Sequence, residues 1–333
     1  MSELQRRPTL MDVAEAAGVS RALVSIVMRG GAPGAAESTR QRVLDAARQL
    51  GYRADSRARL LRSSRTKLLG LIFSSSQPFH AEIVDAAYAE ASARGYEIAL
   101  SAVASGRPEA RAIETLLDVG AEALIIIAPT LNVEDLALHA RQVPVVSLLR
   151  DNVGDLVDSV SSDDYAGIAI AVDHLVGLGH SRIVHVDGGA AVSSDRRRET
   201  YRTEMIRRGL QPVVVPGGPG EEDGMGAGQI LQADLPTLSS PSTTGRPSAS
   251  WRASGRRNQH SRRCIGTRYD DSHFAKLSYV QLSSISQDAP PLLAAAAVGR
   301  AVDRIEGAKS PGSVVRTPHL VLRKTTARAP AAT

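Results

Sequence analysis

The sequence predicts two architectures in one chain, an all-helical head followed by a two-lobed α/β body built on parallel sheets. Up to residue 50, apolar residues recur at helical spacing in three short segments. From Lys67 onward, apolar runs of strand length alternate with helical stretches at intervals of about 25–30 residues. The chain of 333 residues, 43% of them apolar, is long enough for two or three domains with a large core.

Charge is distributed unevenly along the chain. Residues 1–67 carry 13 Lys and Arg against 6 Asp and Glu, and residues 238–268 carry seven Arg and no acidic residue. The net charge of +5 therefore leaves about −9 on the remaining residues. A basic head on an acidic body predicts a polyanion-binding module joined to a part with another task.

Composition excludes several classes of protein. The single cysteine, Cys264, rules out a disulfide framework and a cysteine-based zinc cluster, and it fits a reducing cytosol. No apolar run approaches the roughly 18–20 residues of a membrane span, and the start, MSELQRRPTL, has no apolar signal core. We expect a cytoplasmic protein with no membrane partner.

The head contains three predicted helices in a helix-turn-helix arrangement. The first is Leu10–Ala17, ended by Gly18, and the second is Ser20–Met28, with Ser20 a good N-cap. The third begins near Glu37. The residues expected to face inward are Val24, Val27, Val43, Leu44, Ala47 and Leu50. A helix, a tight glycine turn and a second helix indicate DNA binding, although another small helical bundle would have similar spacing.

The body shows the strand–helix alternation twice. The first lobe has predicted strands Leu68–Phe73, Ile98–Ala102, Ala123–Ala128 and Val143–Leu149, and helices Ala81–Arg94, Arg107–Asp118 and Val133–Arg141. After the loop Asp151–Ser162, the second has helices Ala166–Leu178 and Arg197–Arg208 and strands Arg182–Val186 and Gln211–Val215. The alternation resumes at Tyr269–Asp271, with helix Pro291–Glu306 and strand Leu320–Arg323. Two-lobed α/β bodies usually bind a ligand in the cleft between their lobes.

The head closely resembles the lactose-repressor (LacI) family of bacterial transcription regulators. The resemblance rests on TLMDVAEAAGVSRALVSIVMRG, ESTRQRVLDAARQLGYR and ARLLRSSRT, and the body resembles the ligand-binding core of that family. It implies a lambda-repressor-like helix-turn-helix head and a periplasmic-binding-protein-like (type I) core. The implied domains are the head (1–53), a hinge helix and linker (54–67), a first lobe (68–160 with about 290–317) and a second lobe (161–289 with 318–333).

The resemblance also implies how the head would meet DNA. The second helix would enter the major groove, with its N-terminal end facing the bases. The head residues implied to contact DNA are Thr9, Ser20, Arg21, Ala22, Ser25, Arg29 and Tyr52. Arg21 could read a guanine bidentately or contact a phosphate, and both alternatives stay open. Ile26 stands where many relatives carry a polar, base-contacting residue, so the operator is expected to be read differently there.

The hinge resembles the family's minor-groove element. In a homodimer, paired hinge helices insert a leucine from each chain and kink the duplex. By register that leucine is Leu61, flanked by Arg59 and Arg62. The alternative is a linker leucine that simply packs. A palindromic double-stranded operator follows from the expected two-fold symmetry.

A small effector, often a sugar or a nucleoside in this family, is expected between the lobes. By register the effector-binding residues are Phe79, Ser101, Arg150, Arg197 and Gln287. Phe79 could instead be a lid residue that closes the core. Arg196 and Arg198 flank Arg197, so an error of one residue is possible in that assignment. Ser101, Pro129, Arg150 and Gln287 fall at strand ends that face the cleft, and for each of them a scaffold role is the favoured alternative to ligand contact.

Catalytic interpretations find little support. No Ser/His/Asp spacing or metal-ligand cluster is present, and the glycine string at 224–228 lacks the spacing of a dinucleotide loop. We therefore expect no enzymatic activity, no cofactor and no metal. A solute-binding protein would share the two-lobed body, but it would need a signal peptide and no basic head. The sequence predicts a ligand-responsive repressor of catabolic or transport genes.

Residues 238–268 depart from the family pattern. They contain six apolar residues, seven Ser and seven Arg, so we expect no buried strand there. Codons for Ser242–Ala249 and Asn258–Thr267, read one or two bases out of frame, permit the family's expected runs, Asn-Asp-Arg-Ser-Ala-Val-Gly and Ile-Ser-Ile-Pro-Asp-Asp-Val-Ser-Val. Three small frame slips are the hypothesis, and a natural arginine-rich loop is the alternative. Under the hypothesis the second lobe is poorly packed and effector response is impaired.

Overall fold

The computed structural model describes residues 8–28, 36–52, 65–218, 226–227, 237–241 and 267–329. The chain separates into two units, Met1–Thr66 and Lys67–Thr333. The division falls at the Lys67 boundary where the apolar period changes from helical spacing to strand-length runs. Among the described helices, none has the length and apolar character needed to cross a membrane.

The part of the head that the structure describes consists of three short helices, α1 (Leu10–Ala17), α2 (Arg21–Val27) and α3 (Glu37–Gln49). The predicted ends of α1 are confirmed, because Gly18 adopts the left-handed φ of 62° that ends the helix. Ser20 caps α2 as predicted, since its Oγ accepts a hydrogen bond from the Leu23 amide at 3.2 Å.

The head core is formed by residues that all three helices contribute. The buried members are Val13, Ala14, Ala17, Val24, Val27, Val43, Ala46 and Ala47. The expectation that Leu50 faces inward is wrong, because Leu50 lies at the C-cap of α3 and is 38% exposed. Ala46, one turn earlier, is buried instead.

In the body, helices and strands alternate along the first half. The first sheet contains β1 (Leu68–Ser74), β2 (Glu97–Val103), β3 (Ala123–Ile127), β4 (Val145–Leu148), β5 (Asp158–Ser162) and, from much later in the chain, β11 (Ser313–Arg316). Its helices are α4 (Pro78–Ala93), α5 (Glu109–Asp118), α6 (Val133–Ala140) and α10 (Pro290–Ile305). The predicted strands and helices of the first lobe are thus confirmed within a few residues, apart from β5 and β11.

The first sheet is entirely parallel, with strand order β11-β5-β4-β3-β1-β2. Every residue of β3 and β4 is buried, because helices cover both faces of the sheet. Gly70 in β1 is required by this packing, since a Cβ there would lie 2.8 Å from the Leu124 side chain. These strands place all their carboxyl ends along one edge.

Strand β5 corrects the sequence prediction of a loop over Asp151–Ser162. Its sequence, DSVSS, is polar, yet all five residues are buried. Asp158 makes this possible, because its carboxylate accepts a hydrogen bond from the Gly312 amide at 2.9 Å and forms ion pairs with Arg300 and Arg304 of α10. Burial of a carboxylate is tolerated when positive partners and donors surround it.

The described residues of the second lobe form two smaller sheets. One has order β7-β6-β8 and is parallel, with β6 (Ile183–Val186), β7 (Val213–Val215) and β8 (Thr237–Pro241). The other has order β12-β10-β9, with β9 (Arg268–Tyr269), β10 (Ser284–Ser286) and β12 (His319–Val321). Its helices are α7 (Asp164–Gly177), α8 (Ser194–Arg207) and the short α9 (His273–Lys276). The pairing of β12 with β10 is antiparallel, an exception to the predicted parallel arrangement.

Strand β8 extends into the block at 238–268, for which we expected no buried strand. It pairs in parallel with β6, with a register shift between His185 and Val186. Main-chain hydrogen bonds to a neighbouring strand do not require a particular side chain, and this is why a strand forms in a sequence without strand patterning. The rest of the block up to residue 266 lies outside the described residues.

Candidate functional sites

The exposed face of α2 carries the predicted base-facing residues. Val24 and Val27 are buried in the head core, whereas Arg21 and Ala22 are exposed and Ser25 is half-buried. Ser20 is exposed, but its hydroxyl already serves as the helix cap, so its side chain has a structural task as well as the predicted contact. The helix therefore presents a compact surface of mixed polarity to its surroundings.

Thr9 and Tyr52, two of the implied DNA contacts, lie at helix ends. Thr9 and Asp12 form a reciprocal cap of α1: the Thr9 amide donates to Asp12 Oδ2 at 2.6 Å, and the Asp12 amide donates to Thr9 Oγ1 at 3.4 Å. Tyr52 follows α3, and its amide donates to the Ala47 carbonyl at 2.8 Å. The other predicted DNA contacts, Arg29, Arg59, Leu61 and Arg62, lie outside the described residues.

A cavity of about 270 Å³ lies at the carboxyl ends of strands from both lobes. The first lobe lines the cavity with the end of β1, the start of α4 and the residues just after β3 and β4. The second lobe lines it with the loop after β6, with α8 and with the residues just after β9 and β10. Carboxyl ends of parallel strands are where α/β folds usually bind ligands. Of the predicted effector residues, Phe79, Arg197 and Gln287 line this cavity.

Arg197 is fixed at the cavity wall by a buried ion pair. Its Nε donates to Asp164 Oδ1 at 2.7 Å, with both side chains at most 5% exposed. Its guanidinium carbon lies 3.7 Å from the centre of the Tyr269 ring. Burial by itself lowers the pKa of Arg197, but Asp164, Tyr269 and Asp270 outweigh that effect and raise it. Arg197 is therefore a permanently charged, rigidly oriented donor.

The two arginines beside Arg197 point elsewhere. Arg196 forms an ion pair with Asp151 of the first lobe at 2.5 Å. Arg198 forms one with Asp187 at 2.7 Å, within the second lobe. Neither lines the cavity. Of these three arginines, Arg197, to which the family register assigned the cavity position, is therefore the one that lines the cavity.

Asp270 and Gln287 form another part of the polar wall of the cavity. The Gln287 side-chain amide donates a hydrogen bond to Asp270 Oδ1, and both residues are buried. Burial raises the pKa of the Asp270 carboxyl, while Arg197 and Gln287 oppose the rise. An acidic acceptor, a charged donor and an amide thus meet at one cavity, which is the combination that orients hydroxyl groups.

His80 supplies a further polar group from the first lobe. Its Nδ1 accepts a hydrogen bond from the Ser74 amide at 3.1 Å, and burial lowers its pKa to about 4. The ring is therefore neutral near pH 7 and carries its proton on Nε2. His80 lines the cavity, so a neutral imidazole is part of its polar lining.

Three cavity residues have left-handed backbone conformations that residues with side chains rarely adopt. They are Ala128 (φ 50°), Leu149 (φ 69°) and Asp270 (φ 81°), at the ends of β3, β4 and β9. Such conformations cost of the order of 1–3 kcal/mol each and concentrate at binding and active sites. Their coincidence on one cavity is a second indication, besides the polar groups, that the cavity has a function.

Ser101 and Arg150, also predicted to contact the effector, do not line this cavity. Arg107 Nη2 donates to the Ser101 hydroxyl at 2.9 Å, on the edge strand β2. Arg150 donates to the carbonyls of Pro129 and Leu131 at 3.0 and 2.6 Å. Arg150 thereby fixes the loop after β3, and its contact with an effector stays a prediction.

Comparison with known proteins agrees with both units. Residues 9–55 match the family described as bacterial regulatory proteins of the lacI family, and residues 65–245 match periplasmic binding proteins and the sugar binding domain of the LacI family. The chain belongs to the LacI family. Residues 9–55 contain the α2 surface, and residues 65–245 contain most of the residues that line the cavity.

Individual LacI-family members extend the similarity. The chain is 33% identical to the regulator GalR of Salmonella typhimurium over 58% of each protein. It resembles the solved lac repressor dimer bound to operator and the anti-inducer ONPF, with 26% identity, a TM-score of 0.79 and coverage of 97% and 100% of the two chains. It also resembles the CelR–cellobiose complex, with 26% identity, a TM-score of 0.68 and coverage of 96% and 100%.

The curated relatives are matched over part of their length. The chain spans 58–65% of the length of GalR and of two others, PtxS of Pseudomonas plecoglossicida and MalI of Escherichia coli. These relatives are named as regulators of transcription or of a regulon, and none of the three is named as an enzyme.

Sequence reasoning missed the acidic and imidazole side chains of the cavity region. Asp164 is the partner of Arg197, Asp270 lines the wall, and His80 follows Phe79 in α4. A signal was available for two of them: Asp164 begins a helix at a strand end, and Asp270 follows a strand in the same way. The chemistry of His80 depends on its hydrogen bond with Ser74, which no spacing rule reveals.

Proposed function

We propose that the chain is a sequence-specific, DNA-binding transcription repressor whose affinity for DNA is set by a small ligand. One observation carries the proposal: the same chain combines a helix-turn-helix head, whose α2 exposes Arg21 and Ala22, with a polar cavity between two α/β lobes. Relatives named as regulators and the operator-bound lac repressor support it. The protein acts in the cytoplasm, where its DNA lies, and has no enzymatic activity.

The DNA-binding mechanism uses charge for affinity and α2 for sequence. The head carries 13 Lys and Arg against 6 acidic residues over 1–67, and its cations neutralise phosphates and fix the orientation of the head. Arg21 then reads a guanine in the major groove. A homodimer places two heads on a palindromic operator, and paired Leu61 side chains kink the duplex between the half-sites.

The ligand is a small neutral molecule with several hydroxyl groups, a sugar or a nucleoside. Asp164 neutralises the charge of Arg197 and Asp270 adds an acidic wall, so an anionic ligand is disfavoured. The volume of about 270 Å³ lies near the lower limit for small-molecule pockets and suits a ligand of about one ring. Phe79 packs against the face of that ring. CelR, which was solved with cellobiose, supports the sugar class.

A binding assay on the full chain tests the proposal. A duplex is first enriched from a random library, and its affinity is then measured by mobility shift across a salt series. We expect log affinity to fall steeply with log salt, and Arg21→Ala to reduce preference over random duplex by about 1–3 kcal/mol. No enrichment, or affinity independent of salt, would contradict the proposal.

Ligand response is tested on the same complex. Neutral monosaccharides and nucleosides are added one at a time, with the matching uronic acids as the charged controls. A neutral compound is expected to change the DNA affinity of the parent but not of Asp270→Ala, which removes the acceptor at the cavity wall. A response to the uronic acids alone would contradict the assignment of a neutral ligand.

A further inference from the structure

The exposed surface of α2 is divided lengthwise into a polar edge and an apolar edge. A helix turns about 100° per residue, so residues 21, 22, 25 and 26 fall within about 140° of its circumference. This sector lies opposite the buried Val24 and Val27. Four side chains occupy that sector, in this angular order: Arg21, Ser25, Ala22, Ile26. Arg21 and Ser25 stand one turn apart on one edge. Ala22 and Ile26 stand one turn apart on the other.

Ile26 is the unexplained member of this surface. Among the described residues, Leu23 and Met28 pack against the head core from the same helix, but Ile26 is not part of that cluster. It remains 39% exposed in the head. If an apolar partner covers an exposed branched apolar side chain, the contact is favourable, because apolar surface is removed from water.

The major groove offers a partner of matching chemistry. A guanine presents the acceptors N7 and O6, which suit Arg21, whereas a thymine presents its C5-methyl group, which suits apolar side chains such as Ala and the longer Ile. Both edges of α2 would face the groove together, because they lie in one sector opposite the core. The two chemistries are therefore expected at neighbouring base pairs.

We propose that Ile26, with Ala22, reads thymine methyl groups next to the guanine that Arg21 reads. The inference rests on the proposed function and adds the base class that each edge recognises. It predicts half-sites in which a thymine lies within about two base pairs of the essential guanine, since one helical turn of 5.4 Å covers that distance. It also makes Ile26 a specificity-determining residue.

Uracil substitution tests the proposal without disturbing base pairing. The full chain selects a duplex from a random library, and each thymine of that duplex is then replaced singly by deoxyuridine, which lacks only the methyl group. We expect about a fourfold loss of affinity at one or two thymines per half-site, from ~0.8 kcal/mol for one buried methyl group. Affinity unchanged at every thymine would overturn the proposal.

Variants assign the effect to a side chain. Ile26→Ser is expected to abolish the difference between thymine and uracil at the sensitive position, and Ile26→Val to reduce it. Arg21→Ala is expected to lose guanine preference but keep the uracil effect. Leu50→Ala is the matched control, because Leu50 is equally exposed at 38% but lies at the end of α3.

The possible failures are distinguishable. If no duplex is enriched, the proposed function itself is wrong. If a duplex is enriched but Ile26→Ser retains the parent's uracil sensitivity, the repressor proposal stands and the role of Ile26 is overturned. Circular dichroism at each variant's assay temperature confirms that the head remains helical.

Discussion

The two lobes of the body are built from the same alternating units but differ in how completely their strands are covered. In the first lobe, the inner strands β3, β4 and β5 are buried at every position within one sheet of six strands, whose edge strands β2 and β11 are partly exposed. In the described part of the second, only the middle strands β6 and β10 of two sheets of three are fully buried, and the edge strands β7 and β12 are partly exposed. Equal local patterning therefore does not give equal cores, because burial depends on how many strands share one sheet.

The result that would change the comparison of the two lobes most concerns the nucleotide sequence of the gene. The frame hypothesis predicts that resequencing finds small insertions or deletions of like sign flanking the codons of 242–267, and that the corrected reading restores the family's runs. In that case we expect the second lobe of the protein with the corrected sequence to bury its strands as completely as the first lobe does. An unbroken frame with these codons would make the arginine-rich block a real property of the chain.

The buried carboxylate of the first lobe gives the largest expected effect of a single substitution. Asp158→Ala removes the carboxylate that neutralises Arg300 and Arg304. Because their charges then lack a negative partner, the free energy of unfolding is expected to fall by about 3–5 kcal/mol. Chemical denaturation followed by circular dichroism measures the change. Asp303→Ala, an exposed position on the same helix, is the control and should stay within about 0.5 kcal/mol. Equal small losses in both variants would contradict the structural role of Asp158.

Hydrogen exchange compares the lobes directly. Amides of β1 and β3, inside the six-stranded sheet, are expected to exchange about a hundredfold more slowly than those of β7, whose strand is mostly half-buried. Mass spectrometry of peptic fragments at pH 7 gives both rates in one experiment. Equal protection would show that the lobes open as one cooperative unit, and would remove the distinction drawn above.

Acid should weaken the second lobe through His185. This residue stacks on Tyr201 with 5.2 Å between ring centres, both ring nitrogens lack partners among the described residues, and burial lowers its pKa to about 4. The unfolded chain, with a histidine pKa of about 6.5, takes up the proton first, so stability is complete above pH 6.5 and falls as the pH drops toward 4.

Replacing the imidazole tests this pH dependence. Between pH 7 and pH 5 the parent is expected to lose about 2 kcal/mol through His185, a loss that His185→Leu should avoid. His80→Leu is the matched variant in the first lobe, because His80 has the same lowered pKa of about 4. Thermal unfolding at both pH values measures each contribution. A His185→Leu variant as acid-sensitive as the parent would contradict it.

The smallest expected effect comes from one of the ion pairs between the lobes, Arg196–Asp151. Arg196 and Asp151 are 25% and 32% exposed, and solvent screens such pairs. Arg196→Ala should therefore change the free energy of unfolding by less than about 1 kcal/mol. A loss several times larger would indicate that the lobes depend on each other more than their separate sheets suggest.

Sequence patterning predicted most of the elements because apolar periodicity reports burial. It failed where burial is not apolar: β5, with the sequence DSVSS, is held by the ion pairs of Asp158 with residues 142 and 146 positions away. It also missed β10 and β11, which are only three and four residues long. Strands this short acquire their conformation from the sheet that receives them rather than from their own composition.

The site could be predicted in part for a similar reason. Family register brought Phe79, Arg197 and Gln287 to positions that line the cavity. The hydrogen bond to His80 comes from Ser74, six residues earlier, and the left-handed φ of Asp270 follows the end of β9, so both depend on backbone geometry that residue spacing does not report. In the head, cap and glycine rules located the ends of α1 and the start of α2, because those signals lie within a few residues of each helix end.

The order of the strands has a consequence for biosynthesis. Strand β11 and helix α10 are translated after residue 267, yet α10 supplies Leu293, Ala297, Val298 and Ala301 to the core around β1. The ribosome therefore releases β1–β5 with one face of their sheet covered by α4 alone until nearly the whole polypeptide has emerged. A product truncated before α10 would expose apolar residues of that face, so we expect chaperones to bind it and proteases to degrade it.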